Sequence, residues 1–144
     1  MNRSNWCAFA LLCAASFLAA CSLVKNLGEA SAEANRAVDR FHEQLNAEKD
    51  DAIYDAASPQ FRSATTRDVL HGYLSRIRRK MGACTASHGS GFNINSDAKG
   101  TFMSLQRETQ CANGPLQEDF NWQMVNGNAI LVEYTAKSPQ LSVD

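Results

Sequence analysis

Glu118 shares an alternating stretch with Leu116, Phe120, Trp122 and Met124, so one strand face would carry a carboxyl among aromatics. A carboxyl in that setting has a raised pKa and can serve as a general acid or base. The sequence offers it no partner acid or base and places it near the start of its strand, where the face opens to solvent. The expectation is a solvated carboxylate. The three histidines, His42, His71 and His88, are the next candidates. His42 and His71 fall at the flanks of helical apolar stripes, where a histidine is expected to be solvated or packed at a boundary. His88 lies in Ser87-His88-Gly89-Ser90-Gly91, read as a mobile loop. Cys84-x-x-x-His88 has the ingredients of half a metal site, with Cys111 and His71 to complete it. Zinc sites show tighter paired spacing, so no metal and no cofactor are expected. Arg76, Arg78, Arg79 and Lys80 form the densest basic cluster. Cations in a last helical turn complement the negative helix end and stay solvated. No phosphate-cradling glycine loop, nucleophile elbow or metalloprotease motif is present. No residue is assigned a catalytic role.

The amino terminus carries a firmer signal. Arg3 is the only charge among the first twenty residues, and Trp6 to Ala20 is apolar or small. This is the charged start and apolar run of a secretory signal, too short for a membrane-spanning helix of about 20 apolar residues. The run ends in Leu18-Ala19-Ala20-Cys21, which resembles the lipobox of bacterial lipoproteins at all four positions. The resemblance implies cleavage before Cys21, a diacylglycerol on its sulfur and acylation of the new amine. Two or more chains hold a protein on a bilayer stably. Ser22 stands where an inner-membrane retention signal would have Asp, which points to the periplasmic leaflet of the outer membrane. The expected organisation is a signal peptide at 1–20, a lipidated tether at 21–28 and one domain at 29–144.

Cleavage would leave 13 Lys and Arg against 15 Asp and Glu, a net charge of −2. That excludes a strong field for nucleic acid. Cys7 and Cys13 leave with the signal, and Cys21 carries lipid. Cys84 and Cys111 remain as an even pair in an oxidising compartment, where a disulfide is expected.

Three helices are predicted along the domain. In the first, from Glu29 to Glu48, Ala34, Val38, Phe41 and Leu45 recur at spacings of four, three and four. The second spans Ala52 to Ala57, with Ile53, Ala56 and Ala57 facing in, and Pro59 stops it; Phe61 then plugs into the core. The third opens with Thr65 as cap and carries Val69, Leu70, Tyr73, Leu74, Ile77 and Met81 to a terminal Gly82. From Cys84 the period becomes two. Phe92 and Ile94 mark one strand; Met103, Leu105, Arg107, Thr109 and Cys111 share a face of the next; the Glu118 stretch is the third. Asn126-Gly127 marks a hairpin, and Ile130, Val132 and Tyr134 continue a fourth strand to about Leu141. The fold class is α+β, with about three helices on an antiparallel sheet of about four strands.

This order resembles the cystatin-like and nuclear-transport-factor-2-like group, in which a curved sheet wraps a helical layer, and more narrowly small bacterial secreted proteins of that shape. Tyr54-Asp55-Ala56-Ala57-Ser58-Pro59-Gln60-Phe61-Arg62 and the Asn126-Gly127 turn leading into Leu131-Val132-Glu133-Tyr134 carry the likeness, which spans about Ala34 to Leu141. The resemblance implies a scaffold used both for binding and for catalysis. The sheet is shorter than in larger members, which tells against a deep pocket. The function expected is a non-enzymatic, lipid-anchored binding or accessory envelope domain, with a protein, peptide or envelope component as partner in the binding case and no ligand pocket in the accessory one. The alternative is a small pocket isomerase or hydrolase with Glu118 or a histidine as base.

Overall fold

The computed structural model describes residues 28–142. Helix α1 (28–46) leads into α2 (Asp50–Ala56), α3 (Pro59–Ala64) and α4 (Arg67–Met81). Four strands follow: β1 (Cys84–Asp97), β2 (Gly100–Cys111), β3 (Gly114–Val125) and β4 (Asn128–Lys137), then a short α5 (Pro139–Ser142). The strands form one antiparallel meander in the order β1-β2-β3-β4. The chain is therefore α+β, with four of its helices preceding the sheet. The signal reading and the tether as far as residue 27 fall outside the described residues, and residue 28, placed at the end of the tether, is the first of α1.

The α1 stripe is buried along its length at Ala34, Ala37, Val38, Phe41 and Leu45. It meets Leu70, Leu74, Ile77 and Met81 of α4, and Met103, Leu105, Leu116, Phe120 and Trp122 of the sheet's inner face, in a single core. Val69, expected in the α4 stripe, is instead 61% exposed. Ala56, expected to face in, is also exposed.

Two boundaries differ from expectation for chemical reasons. Pro59 does more than follow α2, because it occupies the first turn of α3, where its missing N–H costs nothing. Ser58 caps that helix by accepting from the Phe61 N–H at 3.0 Å. Thr66, rather than Thr65, caps α4 by accepting from the Val69 N–H. At the other end, Pro139 cannot continue a strand ladder, so β4 stops at Lys137 and the chain turns into α5 rather than running on to Leu141.

The hairpins match their residues. Asn126 and Gly127 both hold positive φ, 50° and 79°, the type I′ geometry whose twist suits a two-residue hairpin. Ser87 to Gly91, expected as a loop, lies within β1, with Ser87 opposite Thr109 and Gly91 opposite Gln106. The ladder absorbs the glycines through a register shift between Gly89 and Gly91. Cys84 pairs with Cys111 at the end of the β1–β2 hairpin, and the two form a disulfide, their Cα atoms 3.9 Å apart.

Candidate functional site

Strand alternation aims Leu116, Glu118, Phe120 and Trp122 at the helices. Glu118 is 1% exposed, which corrects the expectation of a solvent-facing carboxylate. Its strand is flanked on both sides, with Arg107 of β2 and Ala136 of β4 opposite it in register, and α1 closes the face above. Each carboxylate oxygen is occupied. Oε2 lies 2.8 Å from His42 Nε2 and accepts from the Thr109 hydroxyl at 2.5 Å. Oε1 accepts from the Tyr134 hydroxyl at 2.6 Å. With the carboxylate as acceptor, His42 Nε2 is the donor. His42 is buried rather than solvated at the flank of its stripe. Four elements, α1, β2, β3 and β4, each send one polar side chain to one point in an apolar core.

Aromatic rings surround that point. Phe41 and Phe120 meet edge to face at 5.1 Å, Phe41 and Tyr134 lie 4.5 Å apart, and Phe120 stacks on Trp122 at 5.6 Å. Burial pushes the Tyr134 phenol well above its ordinary range, and the nearby Glu118 carboxylate pushes it further. Tyr134 therefore stays a donor at neutral pH. Thr109 is also 3.1 Å from the Ser87 hydroxyl, which extends the network to β1.

An acid–base pair such as Glu118 and His42 has the chemistry for proton transfer, but the Glu118 side chain has no exposed surface and the His42 side chain only 10%. Trp122 and Phe41 line a crevice of about 90 Å³ that includes neither Glu118 nor His42. Small-molecule sites are typically about 300–1,000 Å³. A depression of about 310 Å³ on the outer sheet face borders Glu118. The Glu118 side chain has no exposed surface, so only its backbone meets that depression. The arrangement locks layers together rather than presenting a reactive group.

The other candidates are dispersed. His71 is exposed on α4, its Nδ1 2.8 Å from Asp50 Oδ2. Asp50 is buried and is also held by both terminal nitrogens of Arg78, at 2.5 and 2.8 Å. Arg78 is therefore a structural fastener between α4 and α2, not a solvated end charge. Its basic neighbours Arg79 and Lys80 remain in the last turn of α4, and Arg76 donates to the Leu141 carbonyl of α5 at 2.5 Å. His88 is exposed on β1, paired in register with Glu108. Both thiols of the notional metal half-site are consumed by the disulfide. Among the described residues no cluster of three metal-ligating side chains forms. Cys21 lies outside the described residues.

A groove of about 760 Å³ lies between α4, α5 and the ends of β3 and β4. Tyr73, Ile77, Pro115 and Leu141 give it an apolar floor, and Glu108 and Lys137 stand at its rim. Tyr73 fixes the β4 side, donating to the Ala136 carbonyl at 3.2 Å and accepting from the Ala136 N–H at 2.7 Å. Sequence reasoning missed this groove because α5 was read as strand. It also missed Asp50, and Tyr134 as a partner for Glu118. The available signal was the placement of Thr109 and Tyr134 on strand faces shared with core residues. No protein-family model matches the chain, and the search of curated proteins returns no match. No described helix is long and apolar enough to cross a membrane.

Proposed function

We propose that the chain is a lipid-anchored domain of the bacterial envelope that binds a protein or peptide partner without catalysing a reaction. The lipobox-like Leu18-Ala19-Ala20-Cys21 supports the anchor. Acyl chains on Cys21 would hold the domain on the periplasmic leaflet of the outer membrane. Four helices ahead of a four-strand meander support the likeness to the cystatin-like and nuclear-transport-factor-2-like group.

The observation that carries the non-enzymatic reading is the sealing of Glu118. The core is filled where a pocket enzyme of that shape would need a cavity. The one exposed histidine bonded to an acid, His71, lies on α4 and shares its carboxylate with Arg78. The groove beside α5 has the size and apolar floor to take side chains of an extended partner segment.

Two measurements test this. The intact mass of membrane-extracted protein should match residues 21–144 plus acyl chains, with no alkylation until reduction. A mass without acyl chains overturns the anchor. Photo-crosslinking residues placed at Gln117 and Lys137 in the groove, and at Thr85 as a control, test the binding surface in the living envelope. A discrete adduct from the groove positions alone supports the reading. The same yield from all three positions, or none from the groove, counts against it.

A further inference from the structure

A second cleft, of about 350 Å³, lies where the start of α1 crosses β1 and β2, walled by Ser31, Asn35, Ser90, Phe92, Leu105 and Arg107. Arg107 stands opposite Glu118 in register, yet both Glu118 oxygens are taken by other donors. The guanidinium turns instead towards α1, where its Nη2 donates to Asn35 Oδ1. It forms no ion pair with any described residue, and its Nε is buried without a hydrogen-bond partner. The buried Nε is out of a ligand's reach, but Nη1 has no hydrogen bond to a described residue and is the donor left to take an anion from the cleft. The planar guanidinium fork matches phosphate oxygens.

The cleft is kept open by its backbone. A Cβ at Gly89 would stand 3.4 Å from Arg107 Nη1, so a longer side chain there would crowd the guanidinium. Ser90 sits in the register shift between Gly89 and Gly91, the kind of bulge that leaves a residue outside the ladder. Phe92 follows on the same wall and is 71% exposed. Its register partner Leu105 is a core residue, so the ring projects from the sheet's inner face beyond the cover of α1.

From these features we propose that the Arg107 cleft binds the phosphate of a membrane phospholipid, with the Phe92 ring entering the interfacial layer beside it. The position suits this source. Ser31 lies one helical turn from residue 28, and the seven residues 21–27 reach at most about 25 Å when extended. The cleft is thus at the end of the domain nearest the anchor. That orientation rests on acylation of Cys21, whereas the binding chemistry does not.

The test uses the chain from residue 21 to 144 with Cys21→Ser, which retains every described residue and has no acyl chain. Co-sedimentation with vesicles of phosphatidylglycerol and phosphatidylcholine is compared with pure phosphatidylcholine. Stronger binding to the anionic vesicles is expected. Arg107→Gln should weaken it about fivefold, the factor for one cation near an anionic surface, and Phe92→Ser about tenfold, from lost apolar burial. Gly89→Val keeps the charge and should also weaken binding, with circular dichroism confirming that each variant is folded. No vesicle binding, or undiminished binding by folded Arg107→Gln, overturns the proposal. Titration with inorganic phosphate separates the sources. Arg107-dependent phosphate binding without vesicle binding would assign the cleft to a free anion and overturn the lipid assignment. Failure of the anchor reading shows separately, in the intact mass of the native protein.

Discussion

At the residue scale the molecule turns on Glu118. Removing it strands one donor from each of three elements in a dry core, so Glu118→Ala should destabilise by about 3–5 kcal/mol, as breaking a buried charged network does. Urea unfolding checks this, and a loss under 1 kcal/mol would mean that the network closes over the gap. Buried titratable groups shape the pH dependence at both ends, Tyr134 and Glu33 among them. The Tyr134 phenol has its pKa raised by burial and by the Glu118 charge. Its contribution is therefore complete below the ordinary tyrosine value of about 10 and is lost as pH rises towards the folded value. Burial alone would raise the Glu33 carboxyl, but hydrogen bonds from Arg40 and Arg36 outweigh it and hold the pKa below its ordinary value. Its contribution is present above about pH 4.5 and fades as pH falls through the folded value. Stability measured across pH should show both limbs. Tyr134→Phe should reduce the alkaline one, to which the burial-raised Tyr73 phenol also contributes, and an unchanged alkaline limb would remove Tyr134 as a source.

At the element scale, the longest helices were legible because their apolar residues repeat at three and four. The β3 and β4 strands were legible because their alternation ends in Asn126-Gly127. What the sequence concealed has specific causes. Helix α3 has six residues, too few to show a period, and only the Ser58-Pro59 pair announces it. The Gly- and Ser-rich stretch of β1 reads as a loop by composition, but β2 pairs with it on both sides of the bulge at Ser90. The Glu118–His42 contact joins residues 76 positions apart, a distance over which no local pattern carries information. The β1–β2 hairpin is closed by Cys84–Cys111 across 27 positions. Chain-entropy arguments give that link about 3–4 kcal/mol. Unfolding with and without reductant should differ by about that amount, and equal midpoints would show that the hairpin holds itself. Ser58→Ala should cost about 1 kcal/mol through the lost cap, measured by the same denaturation.

At the scale of the whole molecule, the two open surfaces divide the proposed work. The Arg107 cleft is adjacent to the start of α1, whereas the larger groove is built from α4, α5 and the ends of the later strands. With a net charge of −1 for the whole chain, which the proposed cleavage would make −2, the domain has no general attraction to an anionic bilayer, so any contact there must be local. In cells, Cys21→Ser should move the protein from the membrane to the soluble fraction on fractionation. If it stays quantitatively with the membrane, the acyl chains are not its anchor.

The meander has a kinetic consequence. Each strand pairs with its neighbour in the chain, and none needs a partner from a distant segment. A chain threaded through a membrane emerges unfolded and in order, and such topologies form early because their loop-closure cost is low. Under the proposed export, the β1–β2 hairpin would be able to zip as soon as Cys111 had cleared the channel, before β3 and β4 had emerged. Cleavage at Cys21 would leave only two thiols able to pair, so oxidation has one outcome and no wrong bridge to undo. Docking of α1 through His42 must then wait for β3 and β4, because Glu118 and Tyr134 arrive last. The buried network joins residues 76 positions apart, a contact with a high loop-closure cost, so refolding kinetics should place Glu118 substitutions mainly in the unfolding rate.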